Sequence, residues 1–248
     1  MQIYHMSDIG KKRTTNQDFA EVFVNKADAT LALLADGMGG HRAGDVASKK
    51  TVKILGEMWS NTDFSTPHEV EKWMEKNIQA INERIYNEGQ ENEEYFGMGT
   101  TLIAVAIFYG SFVLAHVGDS RAYAIRAGEM VQITEDHSLV NELVKRGELT
   151  EVEAIDHPRK NILTRTIGMP GVVQVDVTNQ RIEANDTLLL ASDGLTNMVD
   201  DQHILSILSK KQSVKETTEE LLNTANANGG LDNITVLLIR FNKEGEND

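Results

Sequence analysis

Three apolar runs in this sequence end on an aspartate beside a glycine: Leu31-Ala32-Leu33-Leu34-Ala35-Asp36-Gly37, Phe112-Val113-Leu114-Ala115-His116-Val117-Gly118-Asp119 and Leu188-Leu189-Leu190-Ala191-Ser192-Asp193-Gly194. A fourth carboxylate, Asp232, directly precedes the apolar run Asn233–Ile239. Short runs of this composition form buried strands, so the carboxylates at their ends are incompletely hydrated. A single Asp-Gly is explained by a turn. Several carboxylates at similar strand ends repel one another, and persist only with a cation between them or with raised pKa values. Oxygen donors in a chain without cysteine select Mg²⁺ or Mn²⁺ over zinc. The evenly spaced ligands of an EF-hand calcium loop are missing. Metal-held carboxylates of this kind suit hydrolysis of phosphate esters, which also needs a phosphate-binding group. Arg13, in Arg13-Thr14-Thr15-Asn16-Gln17-Asp18, is the candidate, because a guanidinium matches two phosphate oxygens in one plane.

These residues must be positioned by a framework of strands. Runs at Glu21–Asn25, Thr30–Ala35, Thr100–Tyr109, Phe112–Val117, Arg121–Arg126, Met130–Thr134, Val172–Thr178, Thr187–Ala191 and Ile234–Phe241 read as strands, many apolar on both faces. Thr100 to Gly118 is long enough to imitate a membrane span, but Tyr109-Gly110-Ser111 divides it into two strands and a turn. Helices are expected at Ala43–Trp59 and after Thr66-Pro67-His68-Glu69, where Thr66 would cap, Pro67 would open and Glu69 would complete a capping box. Val70, Trp73, Met74, Ile78, Ile81 and Ile85 then form one buried face. Ser213-Val214-Lys215-Glu216 opens a late helix toward Ala227, and Thr150-Glu151-Val152-Glu153 opens a short one. The latter lies in the polar stretch Asn141–Asn161, which reads as a flap. Helix pairs around many strands predict an α+β fold, a four-layer α-β-β-α sandwich with two mostly antiparallel central sheets. A Rossmann-like sheet fits less well, since strands and helices do not alternate and no Gly-rich phosphate loop is present.

The 248 residues show no break in composition, which suits one domain over residues 1–242 followed by a polar tail at 243–248. The absence of cysteine excludes disulfides, thiolate metal sites and cysteine nucleophiles. A net charge of −14 argues against nucleic acid and anionic membrane as partners. Met1–Asp8 has no basic region leading into an apolar stretch, so no signal peptide is expected and the location is read as cytoplasmic. His116, on an apolar strand, is read as a satisfied core residue, His137 as part of a structural turn, and Asp136 as helping to shape the site. His5, His68, His157 and His203 fall in no constellation.

The ordered set of motifs resembles the metal-dependent protein phosphatases, the 2C-type serine/threonine phosphatases, and most of all their compact bacterial members. It runs through Arg13–Asp18, Ala35-Asp36-Gly37-Met38-Gly39-Gly40-His41, Gly99-Thr100-Thr101, His116–Arg121, Asp136-His137-Ser138, Leu163–Gly168, Ala191–Leu195 and Leu231-Asp232-Asn233-Ile234-Thr235. The resemblance implies that Asp36 bridges two Mn²⁺ or Mg²⁺ ions, that the Gly37 carbonyl binds the first, and that Asp193 and Asp232 bind the second. It implies a third, weaker ion on Asp119, shared with Asp193. Asp18 would orient water, Asn233 would support Asp232, and Arg13 would hold the substrate phosphate. The implied reaction is hydrolysis of phosphoserine and phosphothreonine by a metal-activated water, opposing a serine/threonine kinase. A monomer acting on phosphorylated proteins is expected. The Asn141–Asn161 stretch corresponds to the family's flap. One departure matters: the position after Asp36-Gly37 is Met38, where many eukaryotic members carry a histidine general acid. His41 or a water is left to protonate the leaving alkoxide. Two other readings keep part of the pattern: hydrolysis of small-molecule phosphates, and a non-catalytic phosphoprotein-binding pseudophosphatase.

Overall fold

Leu31, Leu33 and Ala35 pack into one apolar layer, while Ala32 and Leu34 on the same strand pack into another. Leu188 and Leu190 likewise join that second layer, with Leu189 and Ala191 in a third. Because side chains alternate along a strand, strands apolar on both faces need cover on both sides. The computed structural model, which describes residues 1–39 and 43–242, meets that need with two sheets stacked face to face and helices outside each. The middle layer lies between the sheets, and the other two lie beneath helices.

The strands are β1 (Gln2–Asp8), β2 (Asp18–Val24), β3 (Thr30–Met38), β4 (Gly99–Thr100), β5 (Leu102–Phe108), β6 (Ser111–Val117), β7 (Arg121–Arg126), β8 (Glu129–Gln132), β9 (Asp176–Arg181), β10 (Thr187–Ala191) and β11 (Ile234–Arg240). The helices are α1 (Ala43–Ser60), α2 (Val70–Glu91), α3 (Leu139–Lys145), α4 (Glu151–Ile155), α5 (Asp193–Thr196), α6 (Asp201–Leu208) and α7 (Val214–Ala227). One sheet has the order β1-β11-β10-β7-β8 and the other β2-β3-β5-β6-β9, with β4 paired to β3. The named strand pairs are antiparallel. Helices α1 and α2 cover the second sheet, and α7 covers the first. The α+β four-layer expectation is met.

Local differences have physical causes. Val70 is the first helical residue of α2, and Glu69 precedes it at φ 69° with no side-chain cap, so the expected Thr66 capping box is not formed. The two other boxes, Thr150 with Glu153 and Ser213 with Glu216, are made in full. The strand expected at Val172–Thr178 starts only at Asp176. Residues before it are tied to α2 instead: Gln79 Oε1 accepts from Val173 N, and Asn82 Nδ2 donates to the Gly171 carbonyl. The half-exposed β1 and the short helix α6 are additional elements; Asp200 caps α6 by accepting from His203 N. No helix among the described residues is long and apolar enough to cross a membrane. Residues 141–161 hold most of α3 and all of α4, and the chain on either side is drawn together by the bridge between Ser138 and Leu163.

Candidate functional site

The carboxylates of interest come from both sheets. Asp18 and Asp36 are partners in the register of β2 and β3. Asp119 follows β6, Asp193 opens α5 directly after β10, and Asp232 lies just before β11. Asp36, Gly37, Asp119, Asp193, Asp232 and Arg13 line one cavity of about 220 Å³. The strand ends expected to converge do so.

Around Asp36 the backbone is held tightly. Thr101 Oγ1 accepts from Asp36 N at 2.9 Å, while Thr100 Oγ1 and Thr101 N donate to the Asp36 carbonyl. Gly37 meets the first turn of α1 so closely that a Cβ on it would fall 2.1 Å from the Gly44 carbonyl oxygen. Only glycine fits there.

Burial raises the pKa of Asp36 well above the usual carboxylate range, and the charges of Asp18, Asp193, Asp119 and Asp232 add to it. Burial followed by the charges of Asp119, Asp232 and Asp18 pushes Asp193 to about 8. Asp119 rises to about 6, through burial and then Asp136. Asp18 also rises to about 6, mainly by burial, although Ser192 Oγ donates to its Oδ2 at 2.7 Å. Like charges packed this closely raise one another's pKa, so the cluster favours whatever compensates its charge, protons or cations.

The donor set fits a hard divalent ion: carboxylates, a glycine carbonyl, and one Asp18 oxygen buried with no hydrogen-bond partner. Among the described residues, no three acidic or histidine side chains are already gathered as a metal-holding group. Arg13 donates to Asp232 Oδ2 at 2.6 Å, so the guanidinium serves as counter-ion to the aspartate. Arg13 is half exposed and lies in the cavity wall.

Asn233 touches Asp232 through its backbone and uses its side chain elsewhere. Its side chain accepts from Gln17 N and donates to the Ile9 and Thr15 carbonyls, stapling the loop that carries Arg13. Only its backbone N–H reaches Asp232. Met38 lines the cavity, and His41 lies outside the described residues. His116 is buried as expected but is not satisfied, since neither ring nitrogen has a hydrogen-bond partner; burial first and His137 second push it down to about 3. Asp136 is turned away to a bidentate pair with Arg121. Gln17, Thr101 and Ser192 were not singled out from sequence. Their one signal is adjacency to Asp18, Thr100 and Asp193 within the motifs.

With this geometry in view, the comparisons agree. The sequence profile of the family described as Protein phosphatase 2C matches residues 10–238. Protein phosphatase PhpP of Streptococcus pneumoniae is 47% identical over 244 residues, 98% of this chain and 99% of that protein. The solved S. agalactiae serine/threonine phosphatase superposes with a TM-score of 0.94 at 48% identity, covering 98% of this chain and 99% of that one. The catalytic domain of the serine/threonine protein phosphatase PstP, solved in complex with two manganese ions, superposes with a TM-score of 0.80 at 32% identity, covering 97% and 98%. The chain belongs to the protein phosphatase 2C family of metal-dependent serine/threonine protein phosphatases.

Proposed function

We propose that residues 1–242 form one catalytic domain that removes phosphate from phosphoserine and phosphothreonine in proteins, with Asp36, the Gly37 carbonyl, Asp193 and Asp232 holding two Mn²⁺ or Mg²⁺ ions. The observation that carries this reading is the raised pKa of Asp36 and of Asp193 in a shared cavity, a charge excess suited to divalent cations. Asp119, on the same cavity wall and coupled in charge to Asp193, would take a third ion. Bound there, such ions lower the pKa of water and offset charge developing on the phosphoryl oxygens.

The chain's own side chains supply the rest. Asp18 has one oxygen fixed by Ser192 and the other without a partner, so it can accept a hydrogen bond from the attacking water and orient it. Arg13 turns from Asp232 to the substrate phosphate, where its planar donors match two oxygens. Met38 has no proton to give; His41 or solvent protonates the leaving oxygen. A cavity of about 220 Å³ is smaller than the roughly 300–1,000 Å³ that encloses small ligands. It suits a phosphorylated side chain presented from a protein surface. A serine/threonine kinase acting on the same targets is the expected partner, in the cytoplasm. Phosphate release from a phosphothreonine peptide with Mn²⁺, compared between wild type, Asp36→Asn and Asp193→Asn, tests the proposal. Retained turnover in either variant overturns it.

A further inference from the structure

His137 lies outside the group of residues given roles above, yet it clamps the turn that presents Asp119. Its backbone N–H donates to the Gly118 carbonyl at 2.8 Å, and its ring Nδ1 accepts from Gly118 N at 3.0 Å. Gly118 has φ +114°, and a Cβ on it would fall 2.6 Å from the Thr101 side chain, so this turn has little freedom to rearrange. The ring is almost fully buried, and the His116 ring packs against it at 4.7 Å between centroids.

Hydrogen-bond arithmetic assigns the tautomer. Gly118 N–H can only donate, so Nδ1 must keep its lone pair. A neutral ring then carries its proton on Nε2, which donates to Asp176 Oδ2 at 3.0 Å. Arg165 Nη1 lies 3.2 Å from Nε2, but a guanidinium offers only donors and Nε2–H has no lone pair to receive them. Its bond goes to Asp176 Oδ1 at 2.9 Å instead. Arg165 thus orients Asp176, Asp176 fixes the ring, and the ring leaves an acceptor aimed at the residue before Asp119.

We propose that His137, locked as the Nε2–H tautomer by Asp176, is a positioning residue that sets the Gly118–Asp119 turn and thereby the affinity of the ion held at Asp119. This rests on the proposed assignment of Asp119 as a metal ligand. Groups that orient metal ligands from behind typically change metal affinity by about 10–100-fold when removed.

The experiment uses the full chain with ¹⁵N-labelled histidine. The wild-type His137 ring is expected to show Nε2 protonated and Nδ1 bare, with slow hydrogen exchange at the Gly118 amide. His137→Phe removes the acceptor; exchange at Gly118 is expected to accelerate, and the Mn²⁺ concentration for half-maximal occupancy of the weakest site to rise by about tenfold. In His137→Asn the side-chain oxygen can replace Nδ1, and both readouts should return most of the way to wild type. An Nδ1–H tautomer in the wild type overturns the proposal, as does equal behaviour of the Phe and Asn variants. If His137→Phe fails to fold, the wild-type spectrum and Asp176→Ala decide: losing the acceptor for Nε2–H should mix the tautomers and speed exchange at Gly118, and an unchanged ring overturns the proposal. Asp119→Asn separates the two claims. If it leaves weak-site Mn²⁺ binding intact, the assignment of Asp119 is wrong. If it weakens binding while His137→Phe does not, the positioning role is wrong.

Discussion

Arg13 donates to Asp232 across 2.6 Å, so a residue expected to hold phosphate and one expected to hold metal are partners of each other. Any cation bound by Asp232 competes with that guanidinium. Arg13→Ala is therefore expected to tighten Mn²⁺ binding while weakening binding of the phosphorylated substrate. Half-exposed ion pairs are worth about 0–1 kcal/mol, so the gain in metal affinity should be at most severalfold and should fade with salt. Titration calorimetry at low and high ionic strength measures the first effect, and KM for a phosphopeptide measures the second.

Asp36 carries the opposite bargain between stability and function. It is buried among like charges, so Asp36→Asn removes repulsion that metal would otherwise relieve. In chelator the variant should unfold at a higher temperature than wild type, by an amount on the order of 1 kcal/mol. With Mn²⁺ added, wild type should gain stability and the variant much less. Thermal melts with and without Mn²⁺ check both, alongside loss of phosphatase activity in the variant.

Asn233 should act through the loop that carries Arg13. Asn233→Ala breaks three part-buried hydrogen bonds to residues 9, 15 and 17. A loss of about 1–3 kcal/mol is expected in urea unfolding. Hydrogen exchange should accelerate in residues 9–17, and KM should rise more than kcat falls.

His116 gives a pH dependence with a definite sign. Its folded pKa is depressed to about 3 from 6.5, chiefly by burial. The unfolded chain therefore binds the proton first, and the contribution of His116 to stability is complete above pH 6.5 and lost as pH falls toward 3. His116→Phe keeps a ring against His137 without the titration. Relative to the variant, wild type should lose up to about 1.4 kcal/mol of stability per pH unit below 6.5. Denaturant unfolding at pH 7, 6 and 5 measures it.

Much of this arrangement was legible in the chain. Strands apolar on both faces announced stacked layers, and Asp36, Asp119 and Asp193 were marked by the runs they terminate. Val172–Thr178 misled because Val173, Val175 and Val177 alternate, yet Gln79 and Asn82 of α2 claim the backbone at Val173 and Gly171 before a neighbouring strand can. The Thr66 box failed for a similar reason: the pattern is local, whereas the chain enters α2 through a left-handed Glu69. Asn233 was placed beside Asp232 by sequence adjacency, and its backbone N–H does reach Asp232, but its side-chain amide serves a loop more than 200 residues away in sequence. No single-residue pattern reports a partner so distant.

The contact between Gly37 and Gly44 ties the fate of the aspartate-lined cavity to that of a core helix. With no side chain between them, the end of β3 and the first turn of α1 have no slack to absorb separate motion. Fraying of α1 would carry the Gly37 carbonyl with it. Partial unfolding of the helical layer should thus silence the enzyme before the sheets come apart, and heat or denaturant should remove activity in step with the loss of α1.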